Sequence, residues 1–265
     1  LNASMVPGSG NNGRPLFQQF RRVGATNMPI GTSTWYNGLQ IKLDRRVGDG
    51  LYITTAYTWS KGLNFSDDDG GLATNIALFL NKGRQSDNRT HTFVQSYMWE
   101  LPFGKGKKWA TSGPAMWIAG GWQFQGILSM MSGSWFSPSV SGVVNAPGNA
   151  DRPNVIAPVR YLGGAGPGQQ FFARDAFEIP PQNTLGNAGC NILVGPGIVN
   201  LDAALHREFT LTESMRLALR VESFNFSNTP HYNNPNGNLQ SPQFGQINGA
   251  AQDQRQYQIG LTLRF

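Results

Sequence analysis

The chain has 265 residues, of which 39% are hydrophobic and only 14% are charged. Its length allows one large β domain or two small ones, and the absence of any run of about 18 apolar residues excludes a membrane-spanning helix. The formal net charge is +6. Apart from Lys105, Lys107 and Lys108 the basic residues are scattered, so we expect no binding of nucleic acid.

The cysteine and histidine content excludes two kinds of site. Cys190 is the only cysteine in the sequence, so there is no internal disulfide and no cysteine-based metal site. The three histidines lie far apart, without the spacing of metal ligands. We therefore predict no metal and no cofactor. The sequence begins without Met and shows no signal peptide, and we expect it to be a piece of a longer, exported chain.

Residues 1–34 are rich in Gly, Asn, Pro and Ser and are predicted to form a loop region, with an edge strand near residues 16–23. After this region, seven stretches alternate apolar and polar side chains with the period of two that is typical of an amphipathic β-strand. In chain order these predicted strands cover about 35–47, 51–61, 91–101, 121–131, 199–209, 215–223 and 254–265.

The first two predicted strands form a hairpin. They flank Gly48-Asp49-Gly50, and glycine readily adopts the positive φ that a tight hairpin turn requires. Pairing about this turn places Leu39 beside Trp59 and Ile41 beside Tyr57, so the apolar faces of the two strands coincide.

The sixth predicted strand pairs with the fifth in the same way. A turn at 210–214 would place Glu208 near Arg216 and Ala204 near Arg220, which predicts a cross-strand salt bridge. The alternation changes phase near Ser223. This change predicts either a bulge or the end of the strand.

The connections between predicted strands fall into two classes that alternate along the chain. Long connections, rich in Gly, Pro and Asn, cover about 62–90, 132–196 and 227–253. Short ones lie at 48–50, 102–117 and 210–214. Transmembrane barrels place short turns on the periplasmic side and long loops outside the cell. The acidic run at 67–69 lacks the ligand pattern of an EF-hand and is predicted to be a solvated turn.

The last strand carries the strongest membrane signal. Its apolar face ends on the aromatic residue at the end of the chain. The sixth predicted strand, which precedes it in the sequence, shows the same alternation. The residues predicted to face the membrane are Leu217, Leu219, Tyr257, Ile259, Leu261, Leu263 and Phe265. About 9–11 residues of this pattern cross a membrane obliquely. The alternative interpretation is the last strand of a soluble sandwich.

Several short stretches resemble a known family. They are Trp35–Gln40 through Arg46, Asp87–Thr92, Glu100–Gly104, Gly186–Gly189, Gly195–Gly197, Arg220–Asn225 with Asn228 and Pro230, Phe244-Gly245 and the terminal Phe265. Together they resemble the C-terminal barrel of TonB-dependent outer-membrane receptors, of the Oar-like type with an N-terminal carboxypeptidase-regulatory-like domain. Cys190 is a departure, since the family commonly has Arg there.

The resemblance implies a 22-stranded barrel, an N-terminal plug and a segment that contacts TonB. On this interpretation the fold is all-β, an antiparallel meander of about seven or eight amphipathic strands, and residues 35–265 form the C-terminal portion of a transmembrane β-barrel. The implied partners are outer-membrane lipid or lipopolysaccharide, the missing N-terminal barrel and plug, and the TonB system. The implied location is the outer membrane of a Gram-negative bacterium.

Three functions fit these features. The first is uptake of a bulky nutrient such as a siderophore, an oligosaccharide or a peptide, and the second is a structural or adhesive barrel without active transport. The third is a soluble all-β carbohydrate-binding module. No arrangement of residues resembles a catalytic site, and we expect no enzyme activity. The candidate ligand-binding residues, all predicted to face the lumen, are Asp202, His206, Arg216, Arg220 and Glu222.

Overall fold

The computed structural model of the chain describes residues 2–24, 33–48, 50–65, 73–166, 168–251 and 254–265. Within these ranges the strands are β1 (Trp35–Val47), β2 (Leu51–Asn64), β3 (Gly83–Arg84), β4 (His91–Glu100), β5 (Trp122–Met131), β6 (Trp135–Phe136), β7 (Asn154–Val155), β8 (Phe177–Glu178), β9 (Leu193–Val194), β10 (Ile198–Thr210), β11 (Arg216–Phe224) and β12 (Gln256–Arg264). The α-helices are α1 (Pro15–Phe20) and α2 (Gly113–Ala119), and short 3-10 helices occur at Gly10–Gly13 and Leu78–Asn81. None of the helices in the described ranges is long and apolar enough to cross a membrane.

One antiparallel sheet dominates the fold. Its seven long strands follow the order β1-β2-β4-β5-β10-β11-β12, and the short β3 pairs with the end of β2. This meander confirms the predicted all-β fold of seven or eight strands. In the part of the chain that the structure describes, β1 pairs only with β2 and β12 only with β11. Among the described residues the sheet is therefore open, with β1 and β12 as its two edges.

The predicted register is correct for the first hairpin, β1–β2, and wrong for the second predicted hairpin, β10–β11. Leu39 lies opposite Trp59 and Ile41 opposite Tyr57, as predicted. In the second hairpin Ala204 lies opposite Glu222, two residues from the predicted partner.

The turn between β10 and β11 lies one residue later than predicted because its own hydrogen bonds fix its position. The main-chain N–H of Leu211 donates to the carbonyl oxygen of Met215 (2.9 Å). In return, the N–H of Met215 donates to the Thr212 hydroxyl (3.0 Å). The turn therefore includes residues 211–215, and pairing begins at Thr210 and Arg216.

The edge strand predicted near residues 16–23 is also wrong, because this segment contains helix α1. Pro15 occupies the first turn, where its fixed φ suits a helix and its missing N–H has no consequence. The side-chain oxygen of Asn2 accepts a hydrogen bond from the N–H of Leu16 (2.9 Å). Arg21 then ends the helix in the left-handed conformation, with φ of 53°. Local capping therefore decides this segment, which has only a short apolar pattern.

The long connections are folded against one another. We call them, with the N-terminal segment, the loop layer (residues 2–24, 73–90, 132–197 and 225–251). Its apolar core consists of Val140, Val143, Phe172, Ala176, Phe177, Leu193, Leu239 and Phe244. The Phe172 and Phe244 rings meet edge to face at 5.2 Å between centroids. The main buried core of the described chain therefore lies in the loops.

Polar contacts join the segments of the loop layer. The guanidinium of the buried Arg152 donates to the carbonyl oxygen of Ala188 (3.0 Å) and to the side-chain oxygen of Asn81 (3.4 Å), and it lies 3.7 Å from the sulfur of Cys190. The N–H of Ser4 donates to the carbonyl oxygen of Pro147 (2.9 Å). The acidic run at 67–69 and Asp49 of the first turn lie outside the described residues.

Candidate functional site on the inner face of the sheet

The register divides the side chains of the sheet between two faces. On one face, which we call the outer face, Leu217 lies opposite Leu263 and Leu219 lies opposite Leu261. All the side chains of β12 are exposed. The terminal Phe265, one residue beyond β12, is exposed as well. The outer face therefore offers a continuous apolar surface at this edge.

The opposite, inner face carries all five candidate ligand-binding residues, Asp202, His206, Arg216, Arg220 and Glu222. The structure brings Asp202, Arg220 and Glu222 together around one cavity. His206 lies opposite Arg220 in the register, but neither His206 nor Arg216 lines the cavity.

The inner-face cavity has a volume of about 400 Å³, within the range that small-molecule sites occupy. A row of paired residues crosses five strands along its floor: Tyr52, Met98, Gln125, Ala204 and Glu222. Regular antiparallel pairing alone brings these residues together from distant parts of the sequence. The site is therefore built on strands, which position side chains more rigidly than loops do.

The charged groups of the cavity differ in their freedom to meet a ligand. An Asp202 carboxylate oxygen accepts hydrogen bonds from the main-chain N–H of Asn225 (2.8 Å) and from the side chain of Asn200 (3.0 Å). Asp202 therefore holds the chain where it leaves β11 and enters the loop layer. Arg220 and Glu222 form an ion pair of 2.7 Å on the same strand. Arg220 is exposed, so this pair can exchange partners with a charged ligand.

The cavity also contains exposed apolar side chains that the alternation of the sequence does not predict. Tyr52, Met98, Ile127 and Phe224 all line it, and all four are exposed. Each lies on the otherwise polar parity of its strand. The change of phase near Ser223 indicates the unusual position of Phe224 in the sequence. Of the two interpretations of this change, the end of the strand is correct, since β11 ends at Phe224 without a bulge.

A second charged cluster lies at the short-turn end of the inner face. One Glu208 carboxylate oxygen accepts from Arg216 at 2.9 Å, and the other lies 3.6 Å from the Arg264 guanidinium. The predicted contact between Glu208 and Arg216 is therefore confirmed. It forms diagonally, because Glu208 lies opposite Ala218 in the register.

The described residues contain no group of three or more His, Cys, Asp or Glu side chains placed to hold a metal ion. Comparison with curated proteins found no match for the chain. A family model described as "Outer membrane beta barrel domain" matches residues 2–258. The antiparallel meander, the exposed apolar face and the alternation of short and long connections all agree with that description. The chain belongs to the outer membrane beta barrel domain family.

Proposed function

We propose that this chain is part of a TonB-dependent receptor of the Oar-like type in the outer membrane of a Gram-negative bacterium. In this role it takes up a bulky nutrient of the siderophore, oligosaccharide or peptide class. The observation that carries the proposal is the inner-face cavity, which joins the Arg220–Glu222 ion pair to exposed apolar side chains. Asp202 connects the same cavity to the loop layer through Asn225.

The chemistry of the cavity suits a ligand with charged and apolar parts. The guanidinium of Arg220 can form two parallel hydrogen bonds with a carboxylate or phosphate group. Tyr52 and Phe224 offer aromatic surface for the apolar part. We propose binding and passage of such a ligand, without an enzyme reaction and without nucleic acid.

The two free edges of the sheet support the proposed partners. Unpaired strand edges are not tolerated in lipid, because their backbone groups have no hydrogen-bond partners there. We propose that further strands of the same receptor pair with β1 and β12 and that a plug of the same receptor fills the lumen. The energy for uptake then comes from the inner membrane through TonB.

A structural or adhesive barrel is the second candidate. The loop layer favours it, because Phe172 and Phe244 pack this layer around its own core. A preformed surface of this kind suits adhesion as well as capture of a nutrient. The third function, a soluble carbohydrate-binding module, is disfavoured by membership of an outer-membrane family.

The test uses the complete natural protein, purified in detergent, with the periplasmic domain of TonB as the probe. Retention of the protein on immobilised TonB domain, and not on a blank column, is the expected result. The complete reading frame is also expected to encode a plug segment. A reading frame without a plug, together with no retention on TonB, would favour the adhesive barrel.

A further inference from the structure

The connection between β4 and β5 exposes large apolar side chains at the short-turn end of the sheet. Trp117 and Ile118 of helix α2 are 70% and 67% exposed, and Trp109 in the preceding turn is 58% exposed. Short turns of outer-membrane barrels lie on the periplasmic side. This apolar surface therefore lies at the periplasmic boundary of the membrane.

Arg207 holds helix α2 against the outer face of the sheet. It lies on the apolar parity of β10, opposite Trp122, and is only 8% exposed. Its guanidinium donates to the carbonyl oxygen of Ile118 (2.6 Å) and to that of Trp117, and it lies over the Phe209 ring at 4.3 Å. A cation at the last carbonyls of a helix stabilises its C-terminus. The exposed face of α2 is therefore fixed beside the membrane surface.

A basic turn lies against the end of this helix. A Cβ atom at Gly104 would lie 2.9 Å from the Cα of Gly120, so only glycine allows this close approach. The turn carries Lys105 and Lys107, and the ammonium of Lys107 pairs with Glu100 at 2.7 Å. Lys105 makes no hydrogen bond or ion pair with any residue that the structure describes.

The turn and the helix enclose a cavity of about 350 Å³. Three basic side chains, Lys105, Lys107 and Arg207, and one acidic side chain, Glu208, line it together with Trp117 and Met116. The basic side chains outnumber the acidic one, and Glu208 is already paired with Arg216 and Arg264, so the cavity combines a net positive charge with aromatic and apolar surface. Tryptophan is enriched at membrane interfaces, and basic residues at the surface attract anionic lipid head groups.

We propose that this cavity binds the head group of an anionic glycerophospholipid of the periplasmic leaflet. The phosphate contacts Lys105 and Lys107, while Trp109, Trp117 and Ile118 lie among the upper acyl chains. The lipid is a phospholipid because the periplasmic leaflet consists of phospholipid, whereas lipopolysaccharide occupies the outer leaflet. The proposal depends on the barrel orientation and is independent of transport through TonB.

The test is native mass spectrometry of the complete protein in detergent, with phosphatidylglycerol or phosphatidylcholine added at equal concentrations. We expect tighter binding of phosphatidylglycerol, and a loss of about fivefold for each of Lys105→Gln and Lys107→Gln, since a basic residue at an anionic surface contributes about 1 kcal/mol. Lys61→Gln is the matched control, because Lys61 is an exposed lysine near the end of β2 that leads into a long connection, away from the short-turn end of the sheet.

A second measurement keeps the test independent of folding. Quenching of tryptophan fluorescence by brominated phosphatidylglycerol should fall in Trp117→Phe, while the heat-dependent gel shift of the folded barrel remains. Equal binding of the two lipids by the unaltered protein would overturn the proposal. So would a Lys105→Gln, Lys107→Gln double variant that keeps its affinity for phosphatidylglycerol within twofold.

Discussion

Arg220 and Glu222 form a 2.7 Å ion pair on the inner face of β11, within the cavity to which the proposed function assigns ligand binding. Arg220 is exposed. The Glu222 side chain is only 20% exposed, but water reaches the guanidinium of Arg220, which is 56% exposed, and screens the pair, so we expect the pair to contribute little to stability. Arg220 can therefore leave Glu222 and bind a ligand with little loss of stability.

We predict that Arg220→Gln lowers the free energy of unfolding by less than about 1 kcal/mol. The measurement is urea unfolding of the complete protein in lipid vesicles, followed by tryptophan fluorescence. The same variant should weaken binding of an anionic nutrient once one is known. A loss of stability above about 2 kcal/mol would show instead that the pair holds the sheet together.

Arg207 should behave differently from Arg220 although both are arginines of the same sheet. We predict that Arg207→Met lowers the free energy of unfolding by about 1–3 kcal/mol, because the carbonyl groups of Trp117 and Ile118 lose their donors. Hydrogen exchange should also accelerate in α2. Arg220→Gln is the control, since Arg220 pairs with Glu222 on the other face and neither residue lines the cavity beside α2. Unchanged exchange in α2 would contradict the capping role.

Phe172 tests whether the loop layer is a packed unit. It is fully buried at 0% exposure, whereas Phe79 in the same layer is 75% exposed. We predict that Phe172→Ala destabilises the layer by about 3–5 kcal/mol, and that Phe79→Ala changes it by less than about 0.5 kcal/mol. The readout is the rate of limited proteolysis within residues 132–197. Equal rates for the two variants would contradict the packed core.

Tyr161 should make the stability of the loop layer decrease at alkaline pH. Tyr161 is 42% exposed, and the partial burial of its phenol raises its pKa above the usual value of 10.0, while a hydrogen bond from the N–H of Val194 (3.0 Å) opposes part of this effect. The folded state therefore holds the phenolic proton more tightly than the unfolded chain. The resulting stability is complete below the unfolded pKa and is lost as the pH rises through the folded pKa.

We expect the resistance of the loop layer to proteolysis to be constant up to about pH 10 and to fall above it. Tyr161→Phe should reduce this fall, because the variant has no phenolic proton at that position. An unchanged pH profile in Tyr161→Phe would contradict the role of this residue.

The sequence predicts the sheet well because its signal is local. Alternation with a period of two assigns Leu219 and Leu261 to one face and Arg220 to the other, and Gly48 and Gly50 mark the first turn. The predicted register of the second hairpin is wrong because hydrogen bonds of Leu211 and Thr212 with Met215 place its turn one residue later along the chain. A two-residue shift keeps every side chain on its face, so the face assignments were unaffected.

The loop layer and the apolar part of the cavity could not be predicted in the same way. Phe172 and Phe244 lie far apart in segments without periodicity, and only tertiary packing brings them into one core. In the sequence, Tyr52, Met98 and Ile127 are single apolar residues at otherwise polar positions of three separate strands. Their significance depends on the strand order and register, which place the three residues around one cavity.

The central claim is that the outer face of the sheet contacts lipid and the inner face contacts the lumen. Leu261 and Gln258 lie on the same strand and on opposite faces, which makes Leu261→Arg and Gln258→Arg a matched pair. The measurement is the free energy of unfolding of each variant of the complete protein in lipid vesicles. We predict a loss of about 2–4 kcal/mol for Leu261→Arg near the bilayer midplane and a small change for Gln258→Arg. Equal tolerance of the two substitutions would contradict the assignment of the faces.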